Sequence, residues 1–246
     1  MLKHKIEWTE KTWNPITGCS KHSAGCVNCY AEIMAKRLCA IGQTKYANGF
    51  KVTLHPQALN EPYTWRKPSL VFVCSMGDPF HKDVPFKFID QIFEVMKSVP
   101  QHIFQVLTKR ATRMQEYFKT RTVPNNVWIG VTVENAEVKH RIDSIRDIDA
   151  TVKFLSCEPL ISDLGELNLS GINWIIVGGE SGSSARPMAE EWVLNIKKQA
   201  DAVGIPFFFK QWGTWGADGI KRNKKKNGKL LQGKIVQEMP KNDVTE

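Results

Sequence analysis

The sequence predicts an α/β protein built on a (β/α)8-type or partial TIM barrel, followed by a basic C-terminal tail. Short apolar runs rich in Val, Ile and Phe recur along the chain, and each is followed by polar or glycine residues and then by a helix-like pattern. Most runs lack strict alternation, as expected for parallel strands covered on both faces. Strand-then-helix repetition over roughly 200 residues favours a barrel, and a doubly wound open sheet is the alternative.

The predicted strands begin with an opening segment, Trp13 to Cys19, which leads through a glycine turn into a cysteine-rich loop. Together with the later apolar runs, this segment makes about eight candidate strands. The later runs are Lys51–His55, Leu70–Cys74, Ile103–Leu107, Val127–Val133, Val152–Cys157, Trp174–Val177 and Pro206–Phe209.

The first predicted helix spans Tyr30 to Ile41 and ends at Gly42. Its apolar residues follow the spacing of three and four that indicates one buried face. These residues are Tyr30, Ile33, Met34, Leu38 and Ile41. The further predicted helices are Phe86–Ser98, Arg110–Lys119, Asn135–Arg146 and Glu190–Val203. A chain of 246 residues can bury one sizeable core, so we expect one barrel domain over residues 1–216 and a basic tail over residues 217–246.

Composition indicates a soluble, cytoplasmic protein with no membrane partner. Hydrophobic residues make up 42% of the chain, but the first residues lack the apolar run of a signal peptide. No stretch reaches the roughly 18 apolar residues of a membrane span. In a reducing compartment, clustered cysteines are more often metal ligands or catalytic groups than disulfides.

Positive charge is concentrated near the C-terminus. The formal net charge is +9, and seven basic residues with no acidic one lie between Lys221 and Lys234, which leaves only +2 for the rest of the chain. This basic segment predicts salt-sensitive, sequence-independent contact with nucleic-acid phosphates. The alternative is a solvated and partly disordered tail.

Three of the six cysteines, Cys19, Cys26 and Cys29, lie within eleven residues, and the last two form a C-x-x-C pair followed by Tyr30. Such short spacing lets two thiolates converge on one metal centre. Three thiolates without an obvious fourth ligand favour a 4Fe-4S cluster with one open iron. Two alternatives remain: His22 completes a four-ligand zinc site, or the thiols are redox-active or structural.

In a barrel, chemistry lies where strands end and loops begin, at the C-terminal rim. The residues predicted at this rim are unusually polar, and we expect them to converge with the cysteine loop on one site. They are Ser75, Met76, Asp78, Thr108, Lys109, Arg110, Thr132, Glu134, Asn135, Ser156, Glu158, Gly178, Gly179, Glu180, Ser181, Lys210, Gln211 and Trp212.

Cysteines that end a first strand, with a C-x-x-C followed by an aromatic residue on an α/β barrel chain, resemble the radical S-adenosylmethionine (SAM) superfamily. More specifically, the chain resembles the phage-associated, radical-SAM-like family of unassigned function from about Lys5 to Trp215. The matching stretches are KIEWTEKTWNP from Lys5, FQVLTKR from Phe104, WIGVTVEN from Trp128, FLSCEPL from Phe154, VGGESG from Val177 and FFFKQWG from Phe207. The chain departs from the superfamily pattern by placing six residues, instead of three, between its first two motif cysteines.

The resemblance implies a cofactor and a reaction. Cys19, Cys26 and Cys29 would hold the cluster, whose open iron chelates the amino and carboxylate groups of SAM. One electron from a donor then cleaves SAM to a 5'-deoxyadenosyl radical, which abstracts hydrogen from an unknown substrate. Tyr30 resembles the superfamily aromatic near the adenine. The superfamily often has a Gly-Gly-Glu after its second strand that meets the methionyl amino group of SAM. Here Gly178-Gly179-Glu180 follows the seventh candidate strand, so the resemblance does not assign that role to Glu180. We expect Glu180 to face the substrate or the cofactor.

Strand alternation narrows the remaining candidates. Thr132 and Glu134 share a face with Gly130, which would admit a flat ligand, so with Asn135 they are the ribose and adenine candidates. The same alternation places Cys157 among the helices as a core residue. The other cofactor candidates are Ser75, Asp78, Lys109, Glu158, Gly178 and Gly179, and Lys210 is a candidate for catalysis. The cations that could bind a carboxylate or phosphate are Lys109, Arg110, Arg186 and Lys210. Cys39 is predicted to be a second core thiol.

The predicted function is therefore that of a radical SAM enzyme acting on an unknown substrate. A nucleotide or nucleic-acid base is the substrate class indicated by the basic segment together with Trp212 and Trp215. The alternatives are a zinc-stabilised, non-catalytic nucleic-acid-binding protein and a radical SAM maturase that acts on a partner protein.

Overall fold

The computed structural model describes residues 6–241. Its strands are β1 (Lys11–Trp13), β2 (Ile16–Thr17), β3 (Thr53–Leu54), β4 (Leu70–Val73), β5 (Ile103–Thr108), β6 (Val127–Thr132), β7 (Lys153–Cys157), β8 (Trp174–Gly178), β9 (Phe207–Gln211), β10 (Leu230–Leu231) and β11 (Lys234–Ile235). Its α-helices are α1 (Tyr30–Ala40), α2 (Phe86–Ser98), α3 (Ala111–Phe118), α4 (His140–Arg146), α5 (Glu190–Ala202) and α6 (Lys224–Asn227).

Within residues 6–241, the main sheet has seven strands in the order β1-β4-β5-β6-β7-β8-β9. The registered pairs β1–β4, β4–β5, β7–β8 and β8–β9 are parallel. Strand order follows the chain without reversal, which is the order of a (β/α) barrel, whereas a doubly wound sheet reverses at a switch point. The predicted α/β class with a partial-barrel sheet is therefore confirmed.

The opening segment differs from its prediction. It divides at Asn14 and Pro15, so that β1 joins the main sheet while β2 pairs with β3 in a separate antiparallel sheet. Pro15 lacks an N–H donor, and its carbonyl instead accepts a hydrogen bond from the His55 amide at 2.8 Å. The Lys51–His55 run is thus not a strand of the main sheet.

The described residues divide into two compact units. The first unit contains the described residues up to His22, with Cys29–Gly130 and Ile148–Thr151. The second contains Ser23–Asn28, Val131–Asp147 and the described residues from Val152 onward. The predicted division into residues 1–216 and 217–246 stays a prediction.

In the first unit, α2 matches its predicted bounds because Phe88, Ile89, Ile92 and Met96 are buried at spacings of three and four. The buried face predicted for α1 is confirmed only in part. Tyr30, Ile33 and Ile41 are exposed, whereas Met34 and Leu38 pack against the buried cluster that Ala31 and Ala35 form with Met76. The fully buried positions of the helix are the alanines Ala31 and Ala35, which apolar spacing among the large residues does not mark.

An ion pair between α2 and the end of α3 stabilises the first unit. Arg121 donates to Asp90 Oδ1 at 2.6 Å, and the Tyr117 hydroxyl donates to the same oxygen at 2.9 Å. The Arg121 hydrogen bond, reinforced by Tyr117 and opposed by partial burial, lowers the pKa of Asp90. A depressed carboxyl pKa stabilises the fold above the unfolded-state pKa, and this contribution is lost as pH falls through the folded-state value.

Asp90→Asn is expected to lower the free energy of unfolding by about 0.5–1 kcal/mol at pH 7, a small effect because Asp90 is 44% exposed. The difference from wild type should shrink as pH falls below about 4. Urea unfolding at pH 7 and pH 3 measures both values. A difference that stays constant between the two pH values would contradict this assignment.

In the second unit, β7, β8 and β9 form an apolar core in which Phe154, Ile175, Phe207 and Phe209 have no exposed surface. The C-terminal segment lies along β9: Phe209 N donates to Val236 O at 2.7 Å, and Trp174 Nε1 donates to Glu238 O at 2.9 Å. Most residues from 217 to 235 are exposed, so the alternative of a solvated, partly disordered tail stays a prediction. None of the helices in the described part of the chain is both long and apolar enough to cross a bilayer.

Candidate functional site

At the ends of β4 and β5, polar groups of the first unit converge on Asp78. This carboxylate is buried, and its Oδ1 accepts hydrogen bonds from Thr108 Oγ1 at 2.7 Å and Phe80 N at 2.9 Å. Its Oδ2 accepts from Lys109 N at 3.3 Å and from Arg110 Nη1 at 3.1 Å. Asp78 therefore fixes the start of α3 and the direction of the Arg110 side chain.

Arg110 connects this group to the first motif cysteine. Its Nη1 lies 3.5 Å from Cys19 Sγ, and its Nη2 donates to Ser20 O and Ser20 Oγ, each at 3.1 Å. Burial, with a smaller contribution from Asp78 and opposed by Arg110, raises the pKa of the Cys19 thiol to about 11. A metal would have to displace the thiol proton on binding, as it does at other thiolate sites.

The third motif cysteine precedes α1. Cys29 occupies the N-cap position and packs against the buried residues Ala31, Ala35 and Met76. The exposed ring of the next residue, Tyr30, places its hydroxyl 2.5 Å from Ser75 O, to which it donates. The structure therefore brings Tyr30 and Ser75 together, and an adenine-facing role for Tyr30 stays a prediction.

In the second unit, the segment Ser23–Asn28 carries Cys26 and is held at its start by Glu134. Glu134 Oε1 accepts hydrogen bonds from Ser23 Oγ and from Gly25 N at 3.2 Å. Glu134 Oε2 accepts from Arg141 Nη1 at 2.8 Å, and Arg141 also donates to Thr132 O at 2.8 Å. Glu134 has no exposed surface. A Cβ on Gly25 would lie 3.0 Å from the Glu134 side chain, so only glycine fits comfortably there.

The end of the same segment is held by Glu180, which follows β8. Glu180 Oε2 accepts from Asn28 Nδ2 at 3.1 Å, from Arg186 N at 2.8 Å and from Arg186 Nε at 2.9 Å. Glu180 Oε1 accepts from Arg186 Nη2 at 2.6 Å. Burial would raise the pKa of Glu180, but the hydrogen bonds from Arg186 and Asn28 outweigh it and lower the pKa.

A third carboxylate of the second unit, Glu158, follows β7. Its Oε1 forms an ion pair with Lys210 Nζ at 2.8 Å, and its Oε2 accepts from Ser156 Oγ at 3.2 Å. Gly178 lies against this pair, because a Cβ there would be 2.9 Å from Glu158 Oε1. Gly179 lies against backbone, because a Cβ there would overlap the carbonyl oxygen of Trp212.

Asn135 is the predicted candidate with an unused hydrogen-bonding atom. Its Nδ2 donates to Glu137 Oε2 at 3.3 Å, whereas its Oδ1 is buried and has no hydrogen-bond partner among the described residues. The other ribose and adenine candidates differ from it. Thr132 is buried and its carbonyl is occupied by Arg141, and Glu134 is bonded within the protein.

Sequence reasoning missed the residues that hold the cysteine-bearing segment, namely Ser23, Asn28 and Arg141. Arg141 had a recognisable signal: it lies between Val138 and Ile145 at helical spacing, where a charged residue on a buried face requires a partner. Of the core thiols, Cys157 is fully buried as predicted, while Cys39 is only partly buried.

The donor set fits an iron–sulfur cluster by its chemistry. All six cysteines lie in the described part of the chain and none is in a disulfide, and Cys19, Cys26 and Cys29 are partly exposed. Among residues 6–241, no three His, Cys, Asp or Glu side chains are grouped as in a metal site. The fit therefore lies in the chemistry of the three motif cysteines and not in a preformed ligand geometry, and metal binding by them stays a prediction.

Comparison with known proteins identifies a family and a distant structural likeness. No curated protein matches the chain. A variant of spore photoproduct lyase with bound AdoMet and dinucleoside spore photoproduct has a TM-score of 0.46 at 11% identity, covering 77% of this chain and 60% of that chain. Spore photoproduct lyase complexed with dinucleoside spore photoproduct has a TM-score of 0.39 at 11% identity, covering 76% of this chain and 59% of that chain.

The chain thus spans about three fifths of the length of these lyases, and at these TM-scores the likeness carries no argument about activity. The family match is of another kind, because it extends over nearly the whole sequence. The family model described as a protein of unknown function, DUF5131, matches residues 3–240. This protein therefore belongs to the DUF5131 family.

Proposed function

We propose that this protein is a radical SAM enzyme in which Cys19, Cys26 and Cys29 hold a 4Fe-4S cluster. The observation that carries the proposal is the state of these cysteines: none of the three is in a disulfide and all three are partly exposed, whereas Cys74 and Cys157 are buried. Three thiolates leave one iron open to a cofactor. The chemistry that such a cluster supplies when bound is one-electron cleavage of SAM to methionine and a 5'-deoxyadenosyl radical.

Charged and polar residues of the chain surround Cys19, the first cysteine of the motif. Arg110 places a positive charge 3.5 Å from Cys19 Sγ, and Asp78 holds that guanidinium in place. A cation beside a thiolate offsets part of the negative charge that a thiolate-bound cluster carries. Ser20, which Arg110 also contacts, is bonded to His81 Nε2 at 2.7 Å, so the backbone after Cys19 is fixed on two sides.

Asn135 supports a polar cofactor near the end of β6. Its buried, unpaired Oδ1 is an acceptor, and an amino group of adenine or a ribose hydroxyl of SAM would satisfy it. The ion pair of Glu158 with Lys210 offers a second polar group in the same unit. The proposal also includes Lys210 as a catalytic residue. Its further cofactor contacts are Ser75, Asp78, Lys109, Gly178 and Gly179.

We assign the substrate to the class of nucleotides or nucleic-acid bases, on the strength of the basic segment. Lys224, Lys225 and Lys226 of α6 are exposed, and Lys221 Nζ lies 5.7 Å from the centre of the Trp215 ring. Trp212 does not contribute to this surface, because it is 2% exposed and donates to Leu230 O. Its role is in the core.

Changing Lys224, Lys225 and Lys226 together to Gln is expected to weaken binding of a single-stranded oligonucleotide and to flatten its salt dependence. Each lost phosphate contact reduces the slope of log K against log salt by about 0.7. Titration of oligonucleotide at several salt concentrations measures the slope. Equal slopes for wild type and the triple variant would remove this segment from the substrate site.

Metal analysis of the purified protein tests the cluster. The proposal predicts a brown protein that contains iron and acid-labile sulfide, and Cys26→Ala is expected to lose both. Cys39→Ala is the matched control, because Cys39 is partly buried but lies outside the motif. A colourless protein with stoichiometric zinc would instead support the zinc-stabilised nucleic-acid-binding alternative. An electron donor, a phage association and action on a partner protein remain predictions.

A further inference from the structure

Glu180 is buried, and its hydrogen-bonding capacity is largely used within the protein. Its two carboxylate oxygens accept four hydrogen bonds from Asn28 and Arg186, at distances between 2.6 and 3.1 Å. Its lowered pKa keeps the group ionised at neutral pH. An ionised carboxylate with these partners is poorly suited to donate a proton or to bind a further cationic group.

The partners of Glu180 reach both sides of Cys26. Asn28, inside the C-x-x-C pair, donates to Glu180 Oε2 and also to Ser184 O at 2.8 Å. Arg186 Nη1 donates to Ala24 O at 3.0 Å. One carboxylate and one guanidinium thus connect to positions two residues before and two residues after Cys26, all within the second unit.

The backbone that presents Glu180 is itself fixed. Glu180 O accepts from Thr214 N at 2.9 Å, and Gly182 N donates to Thr214 Oγ1 at 2.9 Å. Gly213 has a φ of +83° and lies so close that a Cβ would overlap Glu180 O. The carboxylate is therefore held from a constrained turn and not from a free loop.

We propose that Glu180 is a positioning residue: together with Arg186 it fixes Ala24 and Asn28, so that the Cys26 thiol keeps one orientation for cluster binding. This inference deepens the proposed function and rests on it for the identity of the ligand. The contacts of Glu180 and Arg186 with Ala24 and Asn28 do not depend on a bound cluster. It replaces the expectation that Glu180 faces substrate or cofactor.

Hydrogen exchange of the protein before cluster reconstitution tests these contacts without any cluster. Glu180→Gln and Asn28→Ala are expected to raise amide exchange in residues 23–28 by about tenfold, since each removes a hydrogen bond to a charged group. Glu191→Gln is the matched control, because Glu191 is exposed on α5. Unchanged exchange in Glu180→Gln, with the control also unchanged, would overturn the inference.

A second measurement separates positioning from catalysis and from simple misfolding. After reconstitution with iron and sulfide, Glu180→Gln is expected to lose iron to a chelator about tenfold faster than wild type, while it still unfolds in one cooperative thermal transition with a midpoint above the assay temperature. Iron retention equal to wild type, combined with lost SAM cleavage, would return Glu180 to a role facing the reactants. If wild type binds no iron, the proposed function fails, and the role of Glu180 in positioning a cluster ligand fails with it. The hydrogen-exchange result still shows whether Glu180 holds residues 23–28.

Discussion

Replacing Glu134 with Gln is expected to lower the free energy of unfolding by about 3–5 kcal/mol. The reason is that Arg141 is only 4% exposed at its side chain and would keep a buried charge without its carboxylate partner. Ser23 Oγ and Gly25 N would also lose a charged acceptor. Chemical denaturation of the purified variant gives the value directly.

Two companion variants make this result specific. Glu137→Gln changes the same group on an exposed residue nearby and is expected to stay within about 0.5 kcal/mol of wild type. Replacing Glu134 and Arg141 together with Leu removes both charges and is expected to recover part of the loss, since paired removal avoids an isolated buried charge. A Glu134→Gln protein as stable as Glu137→Gln would show that this ion pair does not hold the second unit.

The adjacent glycines Gly178 and Gly179 are expected to respond very differently to Ala. Gly179→Ala should cost about 2–4 kcal/mol, because its Cβ would overlap the main-chain oxygen of Trp212 and the backbone must move. Gly178→Ala should cost about 1 kcal/mol or less. Its Cβ meets Glu158 Oε1 at 2.9 Å, and a flexible carboxylate can turn away.

Thermal and urea unfolding of the two variants measure this contrast. Gly178→Ala is also expected to disturb the Glu158–Lys210 pair while leaving the fold intact, so it isolates the effect of that pair on activity. Equal destabilisation by the two substitutions would contradict the close approach of the Trp212 backbone to β8.

Most of the secondary structure could be predicted because its signal is local. Buried residues at spacings of three and four mark α2, and continuous apolar runs mark β4 to β9. The predicted helix from Asn135 to Arg146 was too long at its start. Asn135 is extended, a short 3-10 turn covers Ala136–Val138, and the α-helix begins only at His140.

The errors have physical causes that a single sequence does not display. Pro15 divides the opening segment because it cannot donate to a sheet, yet the partner that β2 then takes, β3, is distant in sequence. Composition leaves two alternatives for the basic segment, phosphate contact or a solvated, partly disordered tail, and Lys224, Lys225 and Lys226 are exposed as either requires. Composition does not show that the chain after this segment returns to the sheet, where Val236 and Glu238 bond to the edge strand β9 and to Trp174.

For the candidate site, residue types could be predicted but not their partners. A carboxylate after a parallel strand is a sound candidate for ligand binding, and Glu134 and Glu180 satisfied that rule. Their donors, Arg141 and Arg186, lie seven and six residues further along the chain, and only the tertiary structure shows that these donors occupy the carboxylates. Cys19, Cys26 and Cys29 are predicted from their spacing alone, and their role as cluster ligands stays a prediction.

The most direct test of the central claim is release of 5'-deoxyadenosine. The protein is reconstituted anaerobically with iron and sulfide, reduced in the presence of SAM, and its products are measured by chromatography and mass spectrometry. Wild type is expected to release 5'-deoxyadenosine and methionine, Cys26→Ala neither, and Cys39→Ala the wild-type amounts. No 5'-deoxyadenosine from an iron-loaded wild-type protein, or an equal yield from Cys26→Ala, would contradict the proposal that this protein is a radical SAM enzyme.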